Sequence, residues 1–381
     1  MPRFESDAIK AMIADGSISA LTVDTSIFDR YGCNLDYPLL GKLDQFRTGN
    51  TTVILSEIVK NEVQAHIARD AAESQRALKS ALSTHRKRWK LANEEAAVPA
   101  TFKIADDPFV AAEAQFDDYV VKIDAEIVAA SNPAEISVEV LRRYFQIEAP
   151  FEAGDKKKHE FPDAFALVSL EAWASRRNTL LLCVSGDKGW RDFANDSAHL
   201  VWIKDLDEAL SLFNDSGRPI AEQTLARLQA SALPEVLQAI ESAFEYRLDD
   251  HDYHIEAWSS LEFEAEPLGA ALQSIDWDSA SHPVVIAADD DSVTFSFTLT
   301  ALVGFDALFS YFHHDSIDRD YISIGSEEEY KERNIEFELV LEVSRDDEPE
   351  VYEAQIAKRH FEVNFGDIEP FRNEDPSHEK Y

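Results

Sequence analysis

The sequence predicts two units of different class: an α/β unit with a parallel sheet over residues 1–214, and a smaller α+β unit with an antiparallel sheet over residues 215–381. Three observations predict this. Short apolar strands alternate with helical stretches through the first half, the pattern of a parallel sheet covered by helices. Past residue 214, apolar and polar residues alternate with a period of two, as in strands with one dry and one wet face. Between the two, "NDSGRPIAEQ" brings Gly, Ser and Pro together, as at a boundary.

Each element follows in order. "SALTVDTS" reads as a short buried strand ending at Asp24. "TTVILS" reads as a second strand, running into a helical stretch from about Glu57 to Asn93. Two or three further helical segments are expected between Pro108 and Tyr144, so that residues 79–150 form a helical insertion. "FPDAFALVSLEAWA" is an apolar helix, "NTLLLCVSGD" and "AHLVWI" are strands, and the helix "LDEALSLF" closes the unit. The second unit begins with a helix from about Ala221 to Phe244. In "SVTFSFTLTALV", Val293, Phe295, Phe297, Leu299 and Ala301 alternate with Ser and Thr; in "NIEFELVLEV", Ile335, Phe337, Leu339, Leu341 and Val343 alternate largely with glutamates. The tail "FRNEDPSHEKY" is expected to be loose.

Bulk properties narrow the class. With 381 residues, 45% hydrophobic and 29% charged, the chain is that of an ordinary globular protein. "MPRFESDAIKAMIADGS" has no apolar core behind basic residues, so no secretory signal is expected, and no apolar run reaches the ~18–20 residues of a membrane span. Two cysteines, Cys33 and Cys183, exclude a disulfide framework and a cysteine-rich metal site. A cytoplasmic protein with no membrane partner is expected. The net charge of −37 is uneven: residues 1–214 hold 34 acids and 25 bases, residues 215–381 hold 39 acids and 11 bases. Such a chain is repelled by a nucleic-acid backbone unless bases cluster locally.

Four acids carry the chemistry. Asp24 ends one apolar strand and Asp187, in "VSGDKGW", follows another; in open α/β sheets ligands bind outside the carboxyl ends of the strands. A turn-forming or helix-capping Asp is the bland reading of each. At ~100° per residue, Glu62 and His66 fall within or beside the stripe of Leu55, Val59, Val63 and Ile67, whereas Glu57 points away. Asp163 lies four residues before Leu167 and seven before Leu170, on the buried stripe. A first-turn acid stabilises the helix dipole by ~0.3–1 kcal/mol, but that does not explain an acid facing inward. If the four converge, they need a counter-charge. A hard divalent cation with oxygen ligands, Mg²⁺ or Mn²⁺, supplies it, and the sequence has no cysteine or histidine cluster that argues for zinc. The chemistry expected is metal-assisted hydrolysis of a phosphodiester.

The pieces "LTVDTSIF", "ILSEIVKNEVQAHI", "EFPDAFALVSL" and "LLLCVSGDKGWRDF" resemble, in order and spacing across residues ~20–213, the PIN-domain family of metal-dependent nucleases. Within it, "GDKKKHEFPDAFALVSLEAWA" is most similar to a bacterial branch of large PIN proteins with C-terminal extensions. The resemblance implies that Asp24, Glu62, Asp163 and Asp187 bind the metal, and that Ser26 and Ser185 orient metal-bound water or an acid. It also implies RNA cleavage, often by the toxin of a toxin–antitoxin pair, so an inhibitor or antitoxin protein is among the implied partners. A homo-oligomer is compatible with the sequence. Residues Lys79–Pro150 exceed what the compact toxins carry, and the acidic half has no counterpart in them. A haloacid-dehalogenase-type phosphatase needs an Asp where Ser26 stands, and an adhesion-type D-x-S-x-S site needs a Ser where Phe28 stands.

Basic groups offer contacts for nucleic acid. "HRKRWK" sets Arg86, Lys87 and Arg88 beside Trp89, either to grip an RNA backbone with the Trp stacking or as a solvated run with a packed Trp. Lys156, Lys157 and Lys158 precede Asp163, either to hold phosphate at the acidic site or as a charged loop. His66 and His159 read as structural. The acidic half is an inert domain, or a mimic of nucleic-acid charge that restrains the nuclease, or a dock for a basic partner. The competing class for the whole chain is a non-catalytic PIN-fold binding or regulatory protein.

Overall fold

A computed structural model describes residues 3–89, 107–129, 133–154, 158–249, 253–315, 320–346, 348–356 and 361–369. The chain divides into two compact units, Met1–Asp215 and Ser216–Tyr381. No helix among the described residues is long and apolar enough to cross a membrane.

The first unit contains α1 (Ser6–Ala14), β1 (Ile18–Val23), α2 (Thr25–Arg30), α3 (Pro38–Gly41), β2 (Thr52–Ser56), α4 (Glu57–Trp89), α5 (Pro108–Ile123) and β3 (Glu126–Val128). It continues with α6 (Pro133–Gln146), α7 (Phe161–Arg177), β4 (Leu180–Val184), α8 (Lys188–Asp196), β5 (Leu200–Ile203) and α9 (Leu206–Ser211). Five parallel strands form one sheet in the order β3-β2-β1-β4-β5. The central strands are covered on both faces, which is why they read as unbroken apolar runs: Ala20, Leu21 and Val23 of β1 and Leu181–Val184 of β4 are fully buried. From β1 the chain first adds strands on one side, β2 then β3, and later on the other, β4 then β5. The strand order thus reverses between β1 and β4, and in open α/β sheets ligands bind outside the carboxyl ends of the strands at such a point. Val23 pairs with Val184, and the Asp24 N–H donates to the Val184 carbonyl at 3.0 Å, so Asp24 and Ser185 leave the sheet side by side.

One expectation for the elements of this unit is corrected. Residues 79–150 are not a purely helical insertion, because β3 within them pairs with β2 as the edge of the main sheet. Three residues are too short to show a period. The helix α8 had no expectation of its own; Trp190 and Phe193 bury one side of it. Residues 90–93 of the long helical stretch and the tail from 371 lie outside the described residues.

The second unit contains α10 (Arg218–Gln229), α11 (Pro234–Asp249), β6 (Tyr253–Trp258), β7 (Glu262–Asp276), β8 (Val284–Ala288), β9 (Ser292–Asp315), β10 (Asp320–Ser344), β11 (Val351–Ile356) and β12 (Phe361–Asp367). The single helix expected from Ala221 to Phe244 is two. Ser231 takes a positive φ of 54° and Pro234 opens the next helix, having no N–H to continue the first. β9 and β10, at 24 and 25 residues, pair along their whole length. β7 and β8 add antiparallel to the other edge of β9, and β11 adds to β10. The odd-numbered residues of β9 from Val293 to Tyr311 are all buried, and Phe337, Leu339 and Leu341 join them beneath Val236, Ile240 and Phe244 of α11. The other face carries exposed Glu328, Glu332 and Glu336. β6 and β12 form a separate parallel pair.

Candidate active site

The four acids come to one place from four elements. The strand end supplies Asp24, α4 supplies Glu62, α7 supplies Asp163, and the turn after β4 supplies Asp187. The negative charges of Asp24, Asp187 and Glu62 all act on the Asp163 carboxyl. Helical phase holds: Glu62 and Asp163 are half-buried, Glu57 is exposed, and Val59, Val63, Leu167 and Leu170 are buried. Leu55 lies in β2 rather than on the α4 stripe.

Asp24 occupies the N-cap position of α2 but makes no side-chain cap bond. Its Oδ2 instead accepts from Ser26 Oγ at 2.6 Å and Ser185 Oγ at 2.8 Å. Those hydroxyls are fixed in turn: Ser26 Oγ accepts from the Gly186 N–H at 3.1 Å, and Ser185 Oγ accepts from the Asp187 N–H at 2.9 Å. The helix-capping reading thus fails for Asp24 and holds for Asp187, whose Oδ1 accepts from the N–H groups of Gly189 at 2.6 Å and Trp190 at 3.2 Å. Gly189 is required there: a Cβ would sit 2.9 Å from both Asp187 Oδ1 and the Pro150 side chain.

Two partners of the acids were not legible beforehand. Thr25 Oγ1 donates to Glu62 Oε2 at 2.7 Å, and the indole N–H of fully buried Trp190 donates to Asp163 Oδ1 at 2.9 Å. Both residues stand within three positions of a proposed acid, Thr25 in "VDTS" and Trp190 in "GDKGW", which is the only sequence signal for them. In each of the four acids these bonds fall on one carboxylate oxygen. The second oxygen accepts none of them and is the one a cation would use.

Burial pushes the Asp24 carboxyl up to about 6 against the pull of the two serine hydroxyls, with the Asp187 charge adding to the rise. Asp163 is pushed up to about 7, first by burial, then by the charges of Asp24, Asp187 and Glu62 against the Trp190 bond. Burial is the larger cause at both carboxyls, and the neighbouring negative charges add to it. An all-oxygen donor set of this kind fits a hard divalent cation and not a thiophilic one. Among the described residues, the group whose ligand atoms all lie within 4.8 Å of one another is a different one, Asp29, Cys33 and His66.

The candidate contact residues are spread out. Lys158 is exposed in the turn leading to α7, and Lys156 and Lys157 lie outside the described residues. Arg86, Lys87 and Arg88 are in the last turn of α4, and Ala68 is the last buried residue of that helix. Trp89 is 65% exposed, so the packed-Trp reading of this run fails. His66 is not solitary: its Nδ1 lies 2.7 Å from Asp29 Oδ1.

Residues 21–190 match the family model described as PIN domain. No curated protein and no solved structure matches the chain.

Proposed function

Starting from the PIN-family membership of residues 21–190, a nuclease-type domain, we propose that this protein is a Mg²⁺- or Mn²⁺-dependent endonuclease that cleaves RNA, of the toxin or defence kind. One observation carries the reading: at the switch point of a parallel sheet the charges of Asp24, Asp187 and Glu62 all act on the carboxyl of Asp163. When bound there, a divalent cation neutralises these charges, activates water and stabilises charge on a phosphodiester.

The chain's own residues do the positioning. Ser26 and Ser185 hold one oxygen of Asp24, Thr25 holds one of Glu62, Trp190 holds one of Asp163, and the first N–H groups of α8 hold one of Asp187. A carboxylate fixed by one oxygen presents the other in a set direction, which lowers the reorganisation needed to bind a cation. Lys158 and the Arg86–Arg88 run are the described candidates for phosphate contacts, and exposed Trp89 is a candidate for base stacking.

The test is cleavage of single-stranded RNA and DNA by the purified chain with Mg²⁺, Mn²⁺ or EDTA, beside Asp24→Asn and Asp163→Asn. The expected result is metal-dependent cleavage of RNA, reduced on the order of 10²-fold or more in each variant. Activity that survives EDTA or both substitutions overturns the metal mechanism. Nucleic-acid binding without any cleavage supports the binding or regulatory class instead.

A further inference from the structure

A second group of ligand-type atoms lies one helical turn along α2 and α4 from the Thr25–Glu62 contact. α2 and α4 are linked by two rungs. Thr25 bonds Glu62, and four residues further on along each helix Asp29 bonds His66. Just past α2 the chain folds back through Gly32 (φ 61°) and Cys33 (φ 51°), with the Cys33 N–H donating to the Phe28 carbonyl at 2.8 Å. That turn sets the thiol on the same carboxylate: Cys33 Sγ donates to Asp29 Oδ1 at 3.4 Å, and His66 Nδ1 meets the same oxygen at 2.7 Å. One sulfur, one imidazole nitrogen and one carboxylate oxygen thus lie within 4.8 Å of one another.

We propose that Asp29, Cys33 and His66 form a second metal site, selective for Zn²⁺ or a similar borderline-soft divalent ion over Mg²⁺. Donor chemistry makes the distinction. Thiolate and imidazole suit zinc and its neighbours, whereas Mg²⁺ takes oxygen. The spacing also suits it. With bonds of about 2.3 Å to sulfur and about 2.0–2.2 Å to nitrogen and oxygen, ligand atoms around one ion stand at most about 4.5 Å apart. Sulfur and nitrogen stand at 3.4 and 2.7 Å from the Asp29 oxygen, so an ion enters by a local shift of these three side chains. Cys33 is buried, while the side chains of Asp29 and His66 are 47% and 28% exposed, so solvent reaches the cluster and water can complete the coordination. Three protein ligands with an open fourth position are a common zinc arrangement.

Binding would release the Cys33 thiol proton to solvent, replace the thiol–carboxylate–imidazole hydrogen bonds with metal bonds and clamp α2 to α4 beside the Thr25–Glu62 rung. The site therefore also tunes the position of Glu62. This effect on cleavage rests on the nuclease reading; the binding does not.

The experiment uses the full chain, stripped of metal and kept reduced. It is titrated with Zn²⁺ against a chromophoric indicator in excess Mg²⁺, and separately with Co²⁺. The expected result is one tight equivalent of Zn²⁺ per chain and a near-ultraviolet thiolate-to-cobalt band. Both are lost, with affinity down at least about 100-fold, in Cys33→Ser and in His66→Ala, and both are kept in Asp24→Asn. Circular dichroism of each variant shows whether it folds, and two independent ligand variants guard against one that does not. Absence of the cobalt band, or zinc binding that survives both ligand substitutions and disappears in Asp24→Asn, overturns the proposal. If no metal supports cleavage but the cobalt band is present, the nuclease reading fails and the metal site stands.

Discussion

Asp24 and Asp187 are the same residue type at the ends of neighbouring strands, and the fold uses them in opposite ways. Asp187 caps a helix with its Oδ1; Asp24, at a cap position, turns instead to two serines in a buried pocket. Burial therefore raises its carboxyl to about 6, and that of Asp163 to about 7. The consequence for stability has a definite sign. Both values lie above the unfolded one of roughly 3.9, so the stability these groups contribute is fully present below about pH 4 and is lost as pH rises through 6 and 7. For Asp24 the loss is on the order of 3 kcal/mol, and the coupled acids do not add independently. Chelator-treated Asp24→Asn and Asp163→Asn should accordingly melt at higher temperature than the parent at pH 8 and show little gain at pH 4, by calorimetry. An equal drop at both pH values would show that the charge is already neutralised. Trp190→Phe keeps the buried ring and removes the donor to Asp163. Isothermal titration should then show Mg²⁺ binding weakened by about 10-fold or more with the fold intact.

At the scale of elements, helical phase separated the informative acids from the solvated one. Glu57 and Glu62 differ by five residues on one helix, and only the second reaches the packed side. The same arithmetic could not find β3, whose three residues are recognised only by their pairing with β2. Nor could it show that α8 matters, because the short "KGWRDF" gains its role from Asp187 before it and Asp163 beside it. The first turn of α8 yields a prediction of its own. Gly189→Ala would drive a Cβ to 2.9 Å from Asp187 Oδ1 and from Pro150. Urea unfolding should show a loss of about 1–3 kcal/mol, the usual effect of overpacking, and metal binding should weaken with it. A variant as stable as the parent would mean that the turn shifts freely and does not hold Asp187.

Over the whole molecule, charge is the dominant asymmetry. Residues 215–381 carry 39 acids against 11 bases, and glutamates line one face of their antiparallel sheet. A polyanionic substrate is repelled by such a unit on the same chain, and salt screens that repulsion with a Debye length of about 10 Å at 0.1 M. If the acidic half restrains cleavage, residues 1–214 alone should cut RNA faster than the full chain at low salt, and the gap should narrow as salt rises. Equal rates at every ionic strength would assign the acidic half some other task.

Much of this architecture is written in local patterns. Period-two alternation, apolar strand runs and the Gly/Ser/Pro break are nearest-neighbour properties, and a single sequence displays them directly. The inward phase of Glu62 and Asp163 is legible for the same reason, since residues three and four apart share a helix face. Tertiary structure alone decided the rest. Whether Asp24 caps a helix or binds two serines depends on Ser185, 161 residues away. Cysteine and histidine read as isolated along the chain, yet a left-handed turn and two side-by-side helices bring Cys33 and His66 onto one carboxylate. Contacts between distant residues are set by how strands order and helices cross, and no local period encodes that.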